Sequence, residues 1–560
     1  MQRLKSLLKE IDRRGYKSYK RLEGRYHYPH AVLEIDHVQG DPFAEPSRCR
    51  LIFSAERLAF PPSFLNLPIR ITALEDYIGR SFHAALRRHV RGNRGSGRSG
   101  EISFTRLGQQ LLQRNAVVIS ALGCEIRFRL ALPADLRRVN SRQAQEMFFE
   151  ELPQLIASGV DALSAEEDLI TAHLNSAEDQ ESLRQQLRPL GLVAFVANGA
   201  TLPRESGVSD CPLSGAVPFE APATLAVTIE TPHRGAVTGL GIRQGVTLIV
   251  GGGFHGKSTL LHALELGVYN HIPGDGREQV VTDGAACKIR AEDGRAVSGV
   301  DITPFINNLP QGIDTRHFSS LNSSGSTSQA ANIMEALATG CRTLLLDEDT
   351  SASNLLLRDE RMQALVRQEQ EPITPLVEQI TSLSAERGVA VVLVAGGSGA
   401  FFRTADTVVM LDHYRCRDVT AEAKALAGEG VDRTFPPLQS TPRLALPHSL
   451  SPETEDHRPR IQAVATRLLR YGREEMELTR LEQLVDRGQL LAIGYLIARL
   501  ERQERPCDLV PALQQQLTQM TAEGLDTLPP YLCGDFAMPR LQELVAVVNR
   551  MRQLQLLPNP

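Results

Sequence analysis

Gly251, Gly252, Gly253, Phe254, His255, Gly256, Lys257, Ser258 and Thr259 make a glycine-rich run that closes on a lysine and two hydroxyls. The run follows the apolar stretch Val246, Thr247, Leu248, Ile249, Val250 and precedes Leu260, Leu261, His262, Ala263 and Leu264. Strand, then G-x-x-x-x-G-K-S, then helix is the order that a phosphate-binding loop requires. Glycines let the backbone turn so that its N–H groups point at phosphate oxygens, and the helix N-terminus adds its partial positive charge there. In such a loop Lys257 reaches the β- and γ-phosphates, and the Ser258 hydroxyl takes a place on Mg²⁺. The run predicts a nucleoside triphosphate site. His255 either touches phosphate or faces solvent.

A second block tells what such a site would do. Arg342, Thr343, Leu344, Leu345 and Leu346 read as a buried strand that ends in Asp347 and Glu348. A run of this kind suits the centre of a parallel sheet covered on both faces, and carboxylates at its C-terminal end lie where open α/β sheets bind ligands. Asp347 then holds Mg²⁺, and Glu348 orients and deprotonates an attacking water. A kinase needs a place for the hydroxyl of a second substrate. The adjacent acid pair favours hydrolysis over transfer.

Asp347, Glu348, Asp349, Thr350, Ser351 and Ala352 resemble the D-E-P-T-S-A-L-D segment of ABC-type ATPases, with Asp349 replacing its proline and Asn354 its last aspartate. Upstream, residues 323–337 align without gaps to the L-S-G-G-Q signature and its following helix. Over nearly its entire length the chain is similar to the family described as predicted ATPases of the ABC class. Whole phrases carry that similarity: residues 36–43, residues 268–278 and the Ser-Gly-Ser-Thr-Ser-Gln signature. The resemblance implies an α/β P-loop core of ABC-ATPase type, with an α+β N-terminal domain and a helical C-terminal region. It implies ATP and Mg²⁺ as ligands. It also implies a homodimer in which Ser324, Gly325 and Ser326 of one copy complete the ATP site of the other, with no membrane subunit. Hydroxyls and bare N–H groups at a helix start do suit a γ-phosphate. Mitochondrial relatives in some protists are associated with RNA processing, which implies a nucleic-acid role.

The chain departs from the ABC pattern in places. Counting back from Ala405 and Asp406, the position of the switch histidine is Gly396, which leaves Ser398 as a candidate γ-phosphate sensor. No clear Q-loop separates Lys257 from Ser324; Asp301 and Gln311 are the candidates. Arg277, in a turn near the phosphate loop, is a candidate phosphate contact. Asp36, His37 and Asp41 offer a histidine between carboxylates, a weak acid–base or metal motif that a turn and a strand end explain as well.

The elements that must position these residues fall into parts. At 560 residues and 42% hydrophobic, the chain can bury more than one core. Residues 1–220 are read as the N-terminal domain, ending in a proline-, glycine- and serine-rich stretch at 212–222. Residues 221–420 are the ATPase domain, 421–447 a proline-spaced linker and 448–560 a helical region, with residues 467–471 and 490–497 expected in amphipathic helices. Net charge is −5, so no global basic field advertises nucleic acid or membrane. No apolar run approaches the roughly 18 residues of a membrane helix, and the start reads as a charged amphipathic helix instead of a signal peptide. Eight cysteines without a C-x-x-C pair suggest reduced thiols in cytoplasm and speak against zinc.

One charge anomaly stands out. Between residues 77 and 100 lie six arginines (Arg80, Arg87, Arg88, Arg91, Arg94, Arg98) and no acid. Residues 91–100 read as a mobile glycine–serine loop, and Arg87, Arg88, Arg91, Arg94 and Arg98 are candidate RNA or DNA phosphate contacts, with Arg127, Arg129, Arg137 and Arg138 able to extend the surface. Two outputs fit: an ATP-gated nucleic-acid-binding protein, or a protein-remodelling or scaffolding ATPase without nucleic acid. A small-molecule kinase is a weaker third.

Overall fold

The computed structural model describes residues 1–309, 312–359, 365–366, 371–438 and 442–557. The chain forms two compact units: Met1–Glu178 with the returning segment Glu523–Met538, and Asp179–Ala522 with Pro539–Pro560. No helix among the described residues is long and apolar enough to cross a membrane.

The first unit is built on an antiparallel sheet ordered Gly24–His27, Val32–His37, Ser47–Ser54, Gly123–Leu130, Ile102–Ser103, with Val117–Ser120 also pairing with Gly123–Leu130. Period-2 alternation buries Cys49, Leu51 and Phe53 on one face of the Ser47–Ser54 strand. Helix Pro68–His89 contributes Leu74, Ile78 and Phe82 to the same core. Arg127 and Arg129 of Gly123–Leu130 are not the free surface arginines that an extended basic patch needs. Arg127 is buried and pairs with Asp526, and Arg129 bonds Asp535, because Glu523–Met538 folds back into this unit. Asp36 pairs with Arg50 at 2.7 Å and Asp41 caps its own turn through the Phe43 N–H, so the Asp36–His37–Asp41 motif is structural.

Glu75, on the inner side of the long helix, accepts the Ile119 N–H at 2.9 Å. Burial pushes its carboxyl up from 4.5 to about 8, against the lowering pull of that N–H and of Arg127. A folded-state value above the unfolded one gives stability that is full below pH 4.5 and lost as pH rises through 8. Glu75→Gln keeps the acceptor and removes the charge. It is expected to leave the denaturation midpoint at pH 4 unchanged and to raise stability at pH 9 by up to about 5 kcal/mol, read by urea titration at the two pH values.

The second unit centres on a six-stranded sheet ordered Cys287–Ile289, Thr343–Asp347, Ala390–Val394, Val246–Val250, Thr407–Asp412, Arg415–Asp418. The first five strands run parallel and the last is an antiparallel edge. Thr343–Asp347 and Ala390–Val394 are buried at every position, as the apolar runs demand when helices cover both faces. A second, antiparallel sheet joins Ala226–Thr231, Gly235–Arg243, Leu192–Ala197 and Val280–Thr282. Leu192–Ala197 therefore belongs with the strands that follow it. The domain boundary expected near residue 220 lies inside the second unit, and the proline–glycine stretch that suggested it is an internal loop.

The C-terminal region also departs from expectation at one point. Leu468–Tyr471 is the middle strand of an antiparallel sheet between Ile461–Val464 and Glu474–Glu477, not a helix. Its alternation buries Leu469 and Tyr471, and Gly472 at φ 54° supplies the left-handed turn into the next strand. Residues 490–497 do lie in a helix, Arg487–Glu501, capped by a box of Asp486 and Gln489; the short strand Cys507–Asp508 and helices Leu509–Glu523 and Leu541–Val548 follow.

Candidate functional site

The sheet register gathers the motif residues along one edge. Ile249 and Asp347 both stand opposite Val394, so the P-loop strand and the acid-bearing strand end at the same level on either side of Ala390–Val394. With strands about 4.8 Å apart, the two ends lie about 10 Å from each other. Gly251 has φ 137°, and a Cβ there would sit 2.2 Å from the Leu411 carbonyl oxygen. Gly256, at φ 98°, opens helix Lys257–Leu266, and a Cβ would meet the Tyr414 ring at 2.8 Å. Both glycines are required by close approach of the neighbouring hairpin as well as by conformation.

Lys257 Nζ donates to the Gly251 and Gly252 carbonyls, each at 2.8 Å, which folds the ammonium across its own loop. Gly252, Gly253, Phe254 and Ser258 are exposed. Glu348 Oε2 accepts the Gly396 N–H at 2.6 Å and the Gly397 N–H at 2.8 Å. A Cβ on Gly396 would lie 3.7 Å from Lys257 Cε, so Gly396 stands between the lysine and the carboxylate. The backbone at the switch-histidine position thus supplies two charge-assisted bonds that aim Glu348. The Ser398 hydroxyl accepts the Ala400 N–H at 3.1 Å, which leaves its proton to donate. Asp301 closes its own turn by accepting the Thr303 N–H at 3.0 Å, and Gln311 lies outside the described residues.

Asp347 is 6% exposed and accepts the Asp349 N–H at 3.1 Å. Its remaining oxygen lone pairs and the Ser258 hydroxyl are hard donors of the kind Mg²⁺ takes, so the residues fit that ion. His255 has Nδ1 3.3 Å from Asp412 Oδ1, and its ring lies 3.4 Å from where a Cβ on Gly252 would stand.

Beside the loop is a cavity of about 220 Å³ that motif reading missed. Leu202, Val217, Phe219, Leu411 and Tyr414 give it an apolar wall, and Gly256 and Thr259 bring it to the start of the P-loop helix. Arg277 does not line the cavity but holds one of its lining residues. It is 1% exposed, and its Nε donates to the Leu202 carbonyl at 2.9 Å, so it is no surface phosphate ligand. Arg204 fixes the same turn by donating to the Asp275 carbonyl and carboxylate, each at 2.8 Å.

Ser324 is the exposed N-cap residue of helix Gly325–Ala338, and its hydroxyl lies 2.9 Å from that of Thr327. Gly325 and Ser326 are half-buried in the first turn. Gln329, one turn on, donates to the Ser351 hydroxyl at 3.0 Å and accepts the Ala352 N–H at 2.7 Å. The signature helix is thereby fastened to the segment that leaves Asp347 and Glu348.

In the first unit Arg87, Arg88, Arg91 and Arg98 are exposed. Arg94 is not available: it is buried, with Nη1 on Glu146 and Nη2 on Glu151, each at 2.6 Å. The loop is also pinned, through Arg94 N–H to the Ser99 carbonyl at 2.7 Å and Ser96 N–H to the Ala134 carbonyl at 2.8 Å. The mobility expected from its glycines and serines gives way to these bonds.

Comparison with known proteins places these features. The chain is 35% identical over 203 residues to the uncharacterized protein MJ1628 of Methanocaldococcus jannaschii, a match that covers 34% of this chain and 44% of that relative. Among solved structures, an inward-facing putative metal-chelate type ABC transporter aligns at 18% identity and TM-score 0.26, over 40% of this chain and 82% of its own. The ADP conformation of MJ1267, an ATP-binding cassette of an ABC transporter, aligns at 11% identity and TM-score 0.25, over 42% and 93%. Three family models match in succession: the N-terminal domain of ATPases of the ABC class at residues 1–162, the ABC ATPase P-loop domain at 166–441, and the MRB1590 C-terminal domain at 460–557. The chain belongs to the ATPases of the ABC class.

Proposed function

We propose that this protein binds and hydrolyses Mg²⁺-ATP between two copies of itself and uses the cycle to switch its binding to RNA or DNA. The observation that carries the catalytic reading is the convergence of Lys257, Glu348 and the Gly396–Gly397 amides at the shared edge of adjacent parallel strands. Lys257 and the loop N–H groups stabilise the transferring phosphate, and Glu348, held by two amides, takes the proton from the attacking water. Ser258 and Asp347 would hold Mg²⁺, which would supply charge neutralisation at the phosphates. The apolar cavity reached from Thr259 takes the nucleobase, with Tyr414 and Phe219 as its aromatic walls.

The homodimer reading is supported by Phe254. It is 98% exposed at the tip of the phosphate loop with φ 62°, a conformation a bulky residue adopts only under constraint. An aromatic so displayed suits an interface around the ATP, completed by Ser324, Gly325 and Ser326 of the second copy. Arg87, Arg88, Arg91 and Arg98 are the proposed nucleic-acid contacts.

Sedimentation and RNA binding test the two halves separately. Glu348→Gln protein is expected to sediment as a dimer with Mg²⁺-ATP; a monomer at every concentration overturns the sandwich. Labelled single-stranded RNA is expected to bind in a nucleotide- and salt-dependent way. Replacing Arg87, Arg91 and Arg98 with alanine should reduce the salt slope by about 0.7 per lost phosphate contact. RNA binding that is absent in both nucleotide states turns the output toward protein partners.

A further inference from the structure

We propose that His255, Asp412 and His413 form a binding site for a divalent transition ion of the zinc class, joining the phosphate loop to the hairpin beside it. Their donor atoms all lie within 4.8 Å of one another, the one such cluster found among the described residues. His255 Nδ1 is 3.3 Å and His413 Nδ1 2.7 Å from Asp412 Oδ1. A tetrahedral zinc site with bonds of 2.0–2.1 Å spaces its ligand atoms by about 3.3 Å. The first separation already matches that value; in the second His413 Nδ1–H donates to Asp412, so the ion would replace that proton and widen the contact by roughly half an ångström, within reach of one exposed side chain.

Hydrogen bonding around His255 gives the cluster its bias. The His413 N–H points at His255 Nδ1 at 3.3 Å, which makes that nitrogen an acceptor. Asp412 Oδ1 lies 3.3 Å from the same nitrogen, so a cation bound between the two would take over that lone pair from the His413 N–H. The two imidazole rings stand 4.6 Å apart, tilted by 42°. The backbone holds them there. Asp412 and Arg415 are paired across a two-residue turn in which His413 has φ 48° and Tyr414 φ 67°, positions where glycine or asparagine is usual. Two imidazoles and one carboxylate select zinc, cobalt or nickel over Mg²⁺, which prefers oxygen donors alone. The site is therefore distinct in chemistry from that of Ser258 and Asp347. It escaped a sequence count based on cysteines because it has none.

Cobalt is the probe, added to the full-length, nucleotide-free protein and read by its visible d–d absorption. Low-coordinate Co²⁺ bands that saturate at one ion per chain and disappear when Zn²⁺ is added are expected. His413→Asn and Asp412→Asn should each weaken Co²⁺ binding by about tenfold or more. His413 is highly exposed and asparagine tolerates its positive φ, so this variant keeps the fold. Bands of equal affinity in wild type and His413→Asn, or none up to millimolar Co²⁺, overturn the proposal. Because no nucleotide is present, either result leaves the ATP reading to its own test.

Discussion

Glu348→Gln is expected to lower ATP turnover by about 10²–10⁴-fold while ATP still binds, since the amide keeps the shape of the side chain and loses its basicity. Glu348 reaches toward the P-loop edge with Oε2 fixed by the Gly396 and Gly397 N–H groups, and Gly396 abuts Lys257. A Gly397→Ala companion sharpens the test. Its Cβ would lie 3.1 Å from Glu348 Oε1, tighter than an ordinary contact, so the carboxylate must move by a few tenths of an ångström. A displacement of this size at a general base is expected to cut turnover by roughly 10-fold or more with little change in nucleotide affinity. Gly396→Ala meets only Lys257 at 3.7 Å and should be milder. Phosphate release under single-turnover conditions, beside equilibrium ATP binding, reads all three variants. Wild-type turnover in Glu348→Gln would move the base elsewhere. Full turnover in Gly397→Ala would show that the amide cradle has no catalytic consequence.

The phosphate loop and the acid-bearing strand were legible because their information is local: a strand, a turn and a helix start are written in consecutive residues. The register that sets Ile249 level with Asp347 comes from parallel pairing of both strands with Ala390–Val394; the apolar runs announced a parallel sheet but not this pairing. What assembles across distant segments was not legible. The cavity wall combines Leu202 to Phe219 with Tyr414 from a hairpin near the end of the sheet. Arg94 belonged to a run without acids, yet its partners Glu146 and Glu151 come from 52 and 57 residues further on. Counting charge along the chain cannot separate a paired guanidinium from a free one. Arg127 and Arg129 repeat the lesson, covered by a segment that returns from near the other terminus. Leu468–Tyr471 failed for a different reason. Two leucines between arginines fit a period of 3.6 as well as a period of 2, and only pairing with Glu474–Glu477 decides.

Arg295→Met is expected to destabilise the second unit by about 3–5 kcal/mol, the cost of leaving a buried acid without its partner. The Arg295 and Glu335 side chains are 2% and 5% exposed and form an ion pair. Arg295 also donates to Asn332 Oδ1 at 2.5 Å. Asn332 in turn donates to the Arg290 carbonyl at 2.9 Å and to Glu292 at 3.1 Å, and Glu292 is clasped by Arg550. Burial opposes the charge on Glu292, but Arg550 and Arg295 hold its carboxyl below the usual range. The network ties the inner face of the signature helix to the strand-following segment and to the C-terminal Arg550. Burial also works against the charge on Arg295, pulling its value down, so the pair contributes less as attraction than its breakage costs. That distinction is testable. Arg295→Met with Glu335→Leu removes both charges and should recover most of the loss, whereas either single variant should not. Denaturant midpoints of the four proteins measure it. If the double variant is as unstable as Arg295→Met, the guanidinium acts through Asn332 and the Glu292 cluster instead of through Glu335. The double variant then serves a second purpose. With the fold restored but the helix no longer locked by charge, any change in ATP-dependent dimerisation reports how far the placement of Ser324–Ser326 depends on this buried network.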